Sequence, residues 1–330
     1  MQKPPKVSLF ASCLQVFRLT LRRQLLSRQT IVIAVLLGLA LATTIIWVVS
    51  DSRIRSPMGG KFYRALSPES GAYFDVGDHV TADSVVCFVE GRRGRNEMKA
   101  KMSGVISEIL VENDKRVRFR QLLIRIHADR TGLQLASKIL SPLFMGFLLP
   151  IISLGYASAT ISGERTGQTL VYLLSTSIPR PLIYLSQYAA VLLLTLGITL
   201  GSLTSLCVTV GMDGFEVLWE FLPVVTLATV CYVGLFLLFS AWLRRATFLA
   251  LGYALMIETL TANIPGVVKR ITVSFYANSW LYDESSPLEL EPNIPAYDPV
   301  NGGAAMLVLI AASLGFLALG MWVFSRKEYD

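Results

Sequence analysis

The side chains able to do chemistry in this chain are few. The stretch Glu90-Gly91-Arg92-Arg93-Gly94-Arg95-Asn96 carries three arginines on a short, glycine-flanked turn. A guanidinium stays protonated above about pH 12, so Arg92, Arg93 and Arg95 can bind anions but cannot act as nucleophiles or general bases. They form either an external docking knob for an acidic partner, anionic lipid or glycan, or a solvated basic loop. A second stretch, Gly163-Glu164-Arg165-Thr166-Gly167-Gln168-Thr169-Leu170, sets an acid–base pair between two glycines ahead of an apolar run. Glu258 stands in an otherwise apolar stretch. An ionisable group at membrane depth is a functional candidate. It lines a translocation path or pairs across a dimer, or it is a structural Glu bonded to Thr259 or Thr261. His79 and His127 are single and far apart in sequence, and Cys13, Cys87, Cys207 and Cys231 have no paired spacing. No metal site, disulfide framework or cofactor is expected. The chain also lacks a Gly-x-x-x-x-Gly-Lys-Ser/Thr phosphate loop, so ATP hydrolysis is expected only in a partner and the chain itself is not an enzyme.

The elements that carry these residues are mostly apolar. Of 330 residues, 53% are hydrophobic and 16% charged, against about 25% charged in soluble chains. That excludes disorder and argues against an ordinary soluble enzyme. The charges are uneven: residues 51–130 hold 15 Lys+Arg and 11 Asp+Glu, while the other 250 residues hold 27 charges. Six stretches are long and apolar enough to cross a bilayer of about 30 Å: 31–49, 135–157, 182–210, 218–243, 246–264 and 304–324. An acidic turn with Asp213 and Glu216 separates the third from the fourth. Lys/Arg cluster in the N-terminal tail, at Arg165, Arg180, Arg244 and Arg245, and at Arg326 and Lys327; the remaining short segments are acidic. This bias places both termini in the cytoplasm and residues 51–130 outside a cell (inner or plasma) membrane. The first stretch reads as a signal anchor, since its basic region is long and no small-residue cleavage site follows. Before it, residues 7–26 space Leu9, Phe10, Leu14, Phe17, Leu21 and Leu25 at helical intervals, with Arg18, Arg22 and Arg23 mainly opposite. That is the pattern of an amphipathic helix on membrane lipid; the alternative is an ordinary basic flank.

Residues 56–127 read as short strands between tight turns, with apolar alternation at 85–89, 105–111 and 122–126. They also echo. Met58-Gly59-Gly60-Lys61-Phe62, Val76-Gly77-Asp78-His79-Val80 and Val85-Val86-Cys87-Phe88-Val89 form one series. Met102-Ser103-Gly104-Val105-Ile106, Asn113-Asp114-Lys115-Arg116-Val117 and Leu122-Leu123-Ile124-Arg125-Ile126 form the other. Two facing half-sheets related by a pseudo-twofold would account for the repetition.

Two resemblances follow. Ser56-Pro57-Met58, Phe62-Tyr63-Arg64-Ala65, Val76-Gly77-Asp78-His79-Val80, Val89-Glu90, Asn96-Glu97, Ser103-Gly104-Val105 and Ile109–Asn113 resemble the biotin carboxyl carrier domain of acetyl-CoA carboxylase, with Leu66–Phe74 where that family inserts a thumb. The resemblance implies a hairpin whose tip carries a biotinylated lysine between two methionines. Here Arg93 stands at the lysine position. Biotin is joined by an amide to a lysine amine, so no biotin is expected; Lys99 and Lys101 lie beyond the tip. Separately, Gly163–Leu170, followed by Leu173-Leu174-Ser175-Thr176-Ser177-Ile178-Pro179, resembles the inner loop of type-2 ABC exporter permeases. The six stretches, the amphipathic helix and Ile264-Pro265-Gly266-Val267 fit that family too. It implies a short coupling helix over 170–174, pressed on a separate ATPase subunit, with Gly163 and Gly167 turning the chain, Glu164 and Arg165 forming ion pairs, and Thr169 and Leu170 at the contact. It also implies a second permease subunit.

The expected architecture is therefore a membrane all-α six-span bundle with a small all-β barrel-sandwich hybrid domain of biotinyl/lipoyl type inserted after the first span. The parts are 1–50, 51–130 and 131–330. The expected function is the permease subunit of an ABC exporter whose external domain docks a partner or guides substrate. The alternatives are a membrane subunit of a biotin-dependent carboxylase or decarboxylase, and a non-transporting assembly factor. The net charge of +7 is the sum of +6 from the basic tail, +4 from the inserted module and −3 from residues 131–330, and it gives no support for nucleic-acid binding.

Overall fold

The computed structural model describes residues 9–50, 52–67, 71–91, 94–128, 131–166, 178–243, 246–254, 270–283 and 299–327. These form two compact units, Met1–Ala42 with Gly132–Asp330, and Thr43–Thr131.

The first unit is helical. Helix α1, Leu9–Leu25, and helix α2, Arg28–Val49, whose last turns from Thr43 group with the second unit, are separated by a break at Leu26-Ser27. Thr30 closes the break, its hydroxyl donating to the Gln24 carbonyl at 2.7 Å. α1 turns Val16, Thr20 and Gln24 inward and leaves Leu14, Leu19 and Leu25 exposed. After the second unit come α3, Gly132–Leu135, a π-helical stretch, Ala136–Leu148, and α4, Leu149–Thr166. Pro142 lies inside the π stretch, and the Leu149 amide donates five residues back to the Phe144 carbonyl. The wider turn takes up a proline that an α-helix would not hold without a kink. Then follow α5, Arg180–Val208, α6, Met212–Trp242, α7, Ala246–Gly252, α8, Val273–Leu281, and α9, Gly302–Arg326.

α6 is the central helix. It is apolar all round and buried on most sides, against α4, α5, α8 and α9, as expected of a helix inside a bundle. α2 and α9 bury only narrow stripes and expose Leu, Ile and Val. Five helices among the described residues, Arg28–Val49, Gly132–Glu164, Arg180–Val208, Met212–Trp242 and Gly302–Arg326, are long and apolar enough to cross a membrane. The remaining expected stretch, 246–264, begins as α7, and its residues 255–264 lie outside the described residues.

Two readings of local structure are corrected here. Asp213 and Glu216 are not in a turn: α6 begins at Met212, and both acids sit in its first turns, near the positive end of the helix dipole. Residues 158–166 are not a loop either; they are the last turns of α4. The Thr160 and Ser162 hydroxyls bond back along the helix, whereas the Ser158 hydroxyl is buried without a hydrogen-bond partner among the described residues. Thr160 donates to the Tyr156 carbonyl at 2.7 Å, Ser162 donates to the Ser158 carbonyl, and the Ser240 hydroxyl donates to the same carbonyl at 2.9 Å.

The second unit holds two four-stranded antiparallel sheets. The strands are β1 Ser52–Arg55, β2 Gly60–Arg64, β3 His79–Val80, β4 Val85–Gly91, β5 Gly94–Lys99, β6 Gly104–Ile109, β7 Arg116–Val117 and β8 Leu122–Ala128. One sheet runs β1-β8-β6-β3 and the other β5-β4-β2-β7. Adding four to each strand number, cyclically, turns the first order into the second. The echo in the sequence is thus a repeat in the topology, with each half lending its short strand to the other's sheet. The register repeats as well: Phe62 faces Val89 as Ile106 faces Ile126, and Val80 beside Gly104 matches Val117 beside Gly60. So do the left-handed turn residues, Gly77 matching Asp114 and Asp83 matching Arg120. Phe62, Val80, Val86, Val89, Ile106, Val117, Leu123 and Ile126 from both sheets make one core, since alternate strand residues must bury together.

Strand direction defines two ends of this unit. β4 ends at Gly91 and β7 at Val117, both level with Gly60 at the start of β2. β1 runs from Ser52, beside Ile126, to Arg55, beside Leu122, and the following Ser56 bonds the backbone of Arg120 and Gln121. The β4–β5 hairpin and the 118–121 turn therefore lie at one end, and Ser52 and Ala128, where the chain enters and leaves, at the other.

Candidate functional site

The first candidate is the β4–β5 hairpin. Its rungs are Phe88↔Glu97, Val89↔Asn96, Glu90↔Arg95 and Gly91↔Gly94. That register leaves residues 92 and 93 between the two strands; Arg92 and Arg93 themselves lie outside the described residues. Glycine is needed beneath them. A Cβ at Gly91 would come within 2.7 Å of Met58 Sδ and 2.9 Å of the Gly59 carbonyl, and one at Gly60 would run into the Glu90 carbonyl. Gly94 has φ +116°, a backbone setting that L side chains avoid. Arg95 is not on the free turn that its place in the sequence implied. It is a β5 residue, and its guanidinium lies 3.5 Å from the centre of the Phe88 ring, a cation–π contact on the sheet face.

No lysine stands in for the missing one at the tip. Lys99 pairs with Val85 at the far end of β5, and Lys101 follows it. Lys61 is nearer, opposite Glu90, but its Nζ donates to Asp114 Oδ1 at 2.9 Å, and the Tyr63 hydroxyl donates to the same oxygen at 2.8 Å. These two hydrogen bonds hold the Asp114 carboxyl below its usual range and raise the Lys61 ammonium and Tyr63 hydroxyl above theirs. Beside them, Tyr63, Leu66, Tyr73, Phe88, Glu90 and Arg95 line an open cleft of about 510 Å³. Leu66 and Tyr73 are joined by an isolated antiparallel bridge. Cys87 is fully buried, and burial pushes its thiol up to about 12, so it is not a reactive group. The register places His79 and His127 in strands on either side of Val105. Among the described residues no group of three or more metal-binding side chains exists.

The second candidate is the end of α4. Gly163, expected to turn the chain, is helical, and its carbonyl accepts from Arg23 Nη2 at 3.3 Å. Glu164, expected to be available for an ion pair with a partner, is 9% exposed. Its Oε2 accepts from Gln187 Nε2 at 2.7 Å, and its Oε1 lies 3.9 Å from Arg23 Nη1. Its first partners are thus within the chain. Gln24 adds a second tie, donating to Thr160 Oγ1 at 2.9 Å and to the Tyr156 carbonyl at 3.3 Å. The backbone of Arg165 continues the helix, and Gly167, Thr169, Leu170 and Glu258 lie outside the described residues. Sequence reading did not single out Gln24 or Gln187. The only signal was a glutamine at an inward position of each helix, which gains meaning once the helices are packed. Together these contacts join α1, α4 and α5 immediately before the 167–177 segment.

Comparison with known proteins bears on the first candidate. Residues 52–126 match the family model described as "Biotin-requiring enzyme". The chain is similar to the biotin carboxyl carrier protein of acetyl-CoA carboxylase of Chlamydia muridarum, 48% identical over 78 residues, which is 24% of this chain and 48% of that protein. The protein of the same description from Pseudomonas aeruginosa is 45% identical over 73 residues, 22% of this chain and 47% of that protein. The one from Nostoc sp. is 40% identical over 78 residues, 24% and 43%. The chain spans about half the length of the curated relatives it matches. Residues 52–126 are a biotin/lipoyl domain, carried in one chain with several helices apolar enough to cross a membrane.

Proposed function

We propose that this chain is the membrane-spanning subunit of an ABC-type exporter, driven by a separate ATPase subunit and paired with a second permease subunit. One observation carries the reading. Gly163–Thr166, the start of the stretch ending at Leu170, close a long apolar helix whose end is tied to α1 through Arg23 and Gln24 and to α5 through Gln187. A push on residues 167–174 would reach three helices at once. In this reading Glu164 is a positioning residue, Arg165, Gly167, Thr169 and Leu170 face the ATPase, and Glu258 belongs to the six-span bundle's translocation path. The 52–126 domain, a barrel-sandwich hybrid outside the membrane, is kept for its shape, since Arg93 cannot form the amide that holds biotin.

The likeness to biotin carriers favours a second reading, a membrane subunit of a biotin-dependent carboxylase or decarboxylase. Extraction in mild detergent separates the two. The permease reading expects an ATPase subunit in the purified complex and no band on a streptavidin blot. A biotin band, or a complex free of any ATPase, contradicts it.

A further inference from the structure

The repeat within the second unit supplies its own control. The 81–84 turn and the 118–121 turn occupy equivalent places, each joining a two-residue strand to a seven-residue one with its third residue left-handed. The first reads Thr81-Ala82-Asp83-Ser84 and the second Arg118-Phe119-Arg120-Gln121. The fold therefore does not dictate the arginines or the phenylalanine. Asp83 suits its φ of +64°, because aspartate tolerates this region, whereas Arg120 at +63° does not. Backbone strain of this kind tends to persist where a side chain is used.

What the second turn presents is specific. Phe119 is 64% exposed, and the Arg120 guanidinium lies 5.4 Å from its ring centre. Arg55 and Arg116 are exposed beside it. Among the described residues no carboxylate lies within ion-pair distance of Arg55, Arg116, Arg118 or Arg120, whereas Lys61, Arg64, Lys115 and Arg125 all have acidic partners. This end of the unit is also the one away from Ser52 and Ala128.

We propose that the 118–121 turn, with Arg55 and Arg116, docks this domain on an anionic phospholipid surface. The guanidiniums bind phosphates through two parallel hydrogen bonds each, and Phe119 enters the headgroup layer, where aromatic rings partition. A single aromatic between two arginines is far too small for a protein interface of about 800 Å² per partner, and it has the composition of a lipid-surface anchor. The inference rests on the helices crossing a membrane.

The test uses the full chain in phosphatidylcholine nanodiscs, floated with vesicles of phosphatidylcholine alone or with phosphatidylglycerol. Failure to enter nanodiscs sinks the membrane reading; the docking is judged on chain that does enter. The expected result is co-flotation only with phosphatidylglycerol vesicles, weakened by salt. Phe119→Trp then shows blue-shifted emission on vesicle addition. Arg118→Gln lowers binding about fivefold, and Arg118→Glu with Arg120→Glu abolishes it. Arg120→Gly also lowers binding while relieving the backbone, so a binding loss from misfolding is told apart by its melting temperature. No co-flotation, binding untouched by the glutamate pair, or displacement by soluble polyglutamate at matched ionic strength overturns the proposal; the last would mean an acidic protein partner.

Discussion

At the residue scale, two side chains in the β unit make opposite predictions. Asp114 ends a turn in a left-handed setting and accepts from both Lys61 and Tyr63. Its carboxyl is held below the ordinary range by these donors, so its contribution to stability is present above about pH 4 and is lost as pH falls through the lowered folded value. Asp114→Asn should flatten that acid-side loss in a thermal melt followed across pH; an unchanged slope would show that the cluster is not linked to folding. Arg120 is the reverse case, a residue the fold tolerates poorly. Arg120→Gly removes left-handed strain of about 1–3 kcal/mol and adds a glycine entropy cost of about 0.5–1 kcal/mol. The domain should gain about 1 kcal/mol and melt about 4–8 °C higher. A lower melting temperature would mean that Arg120 is held by contacts that offset its strain.

At the scale of elements, close approach and buried hydrogen bonds decide. Gly91→Ala would drive a methyl into Met58 and the Gly59 carbonyl. It should destabilise the hairpin by about 1–3 kcal/mol, seen as faster amide exchange over residues 85–99; unchanged exchange would show that Met58 yields freely. At the end of α4, Gln187→Leu removes the 2.7 Å donor to a buried carboxylate, at a cost of about 1.5–3 kcal/mol, readable in the melting of the detergent-solubilised chain. No change would mean that Glu164 turns to Arg23 instead. The two elements differ in how much the sequence disclosed. Alternation of apolar residues at 85–89, 105–111 and 122–126 is a local signal and made β4, β6 and β8 legible, and the echo disclosed the repeat; the two-residue strands β3 and β7 carried no alternation and were not read. The end of α4 read as a loop because the apolar run stops near residue 157 and the polar stretch after it resembles a permease inner loop. In the fold the helix runs on to Thr166, with the Ser240 hydroxyl on α6 donating to the Ser158 carbonyl. Gln24 and Gln187 were invisible because their partners come from helices far away in the chain.

At the scale of the whole molecule, the composition is an average over two different objects. One is a set of long apolar helices carrying almost no charge, and the other a charged β domain with 15 basic and 11 acidic residues over 51–130. That contrast was plain in the sequence, as was the carrier likeness; the clustering at one end of the β domain of arginines with no ion-pair partner among the described residues needed the strand register. In the proposed function, the helices are worked by a separate ATPase through residues 163–174. The most direct measurement is ATP turnover by the partner ATPase in proteoliposomes, with this chain intact and with residues 167–170 replaced by an equally long Gly-Ser segment. The account predicts that turnover depends on this chain and falls to the level of the ATPase alone in the replaced form, with the chain still inserted and its melting unchanged. Turnover that is the same with either form would contradict it.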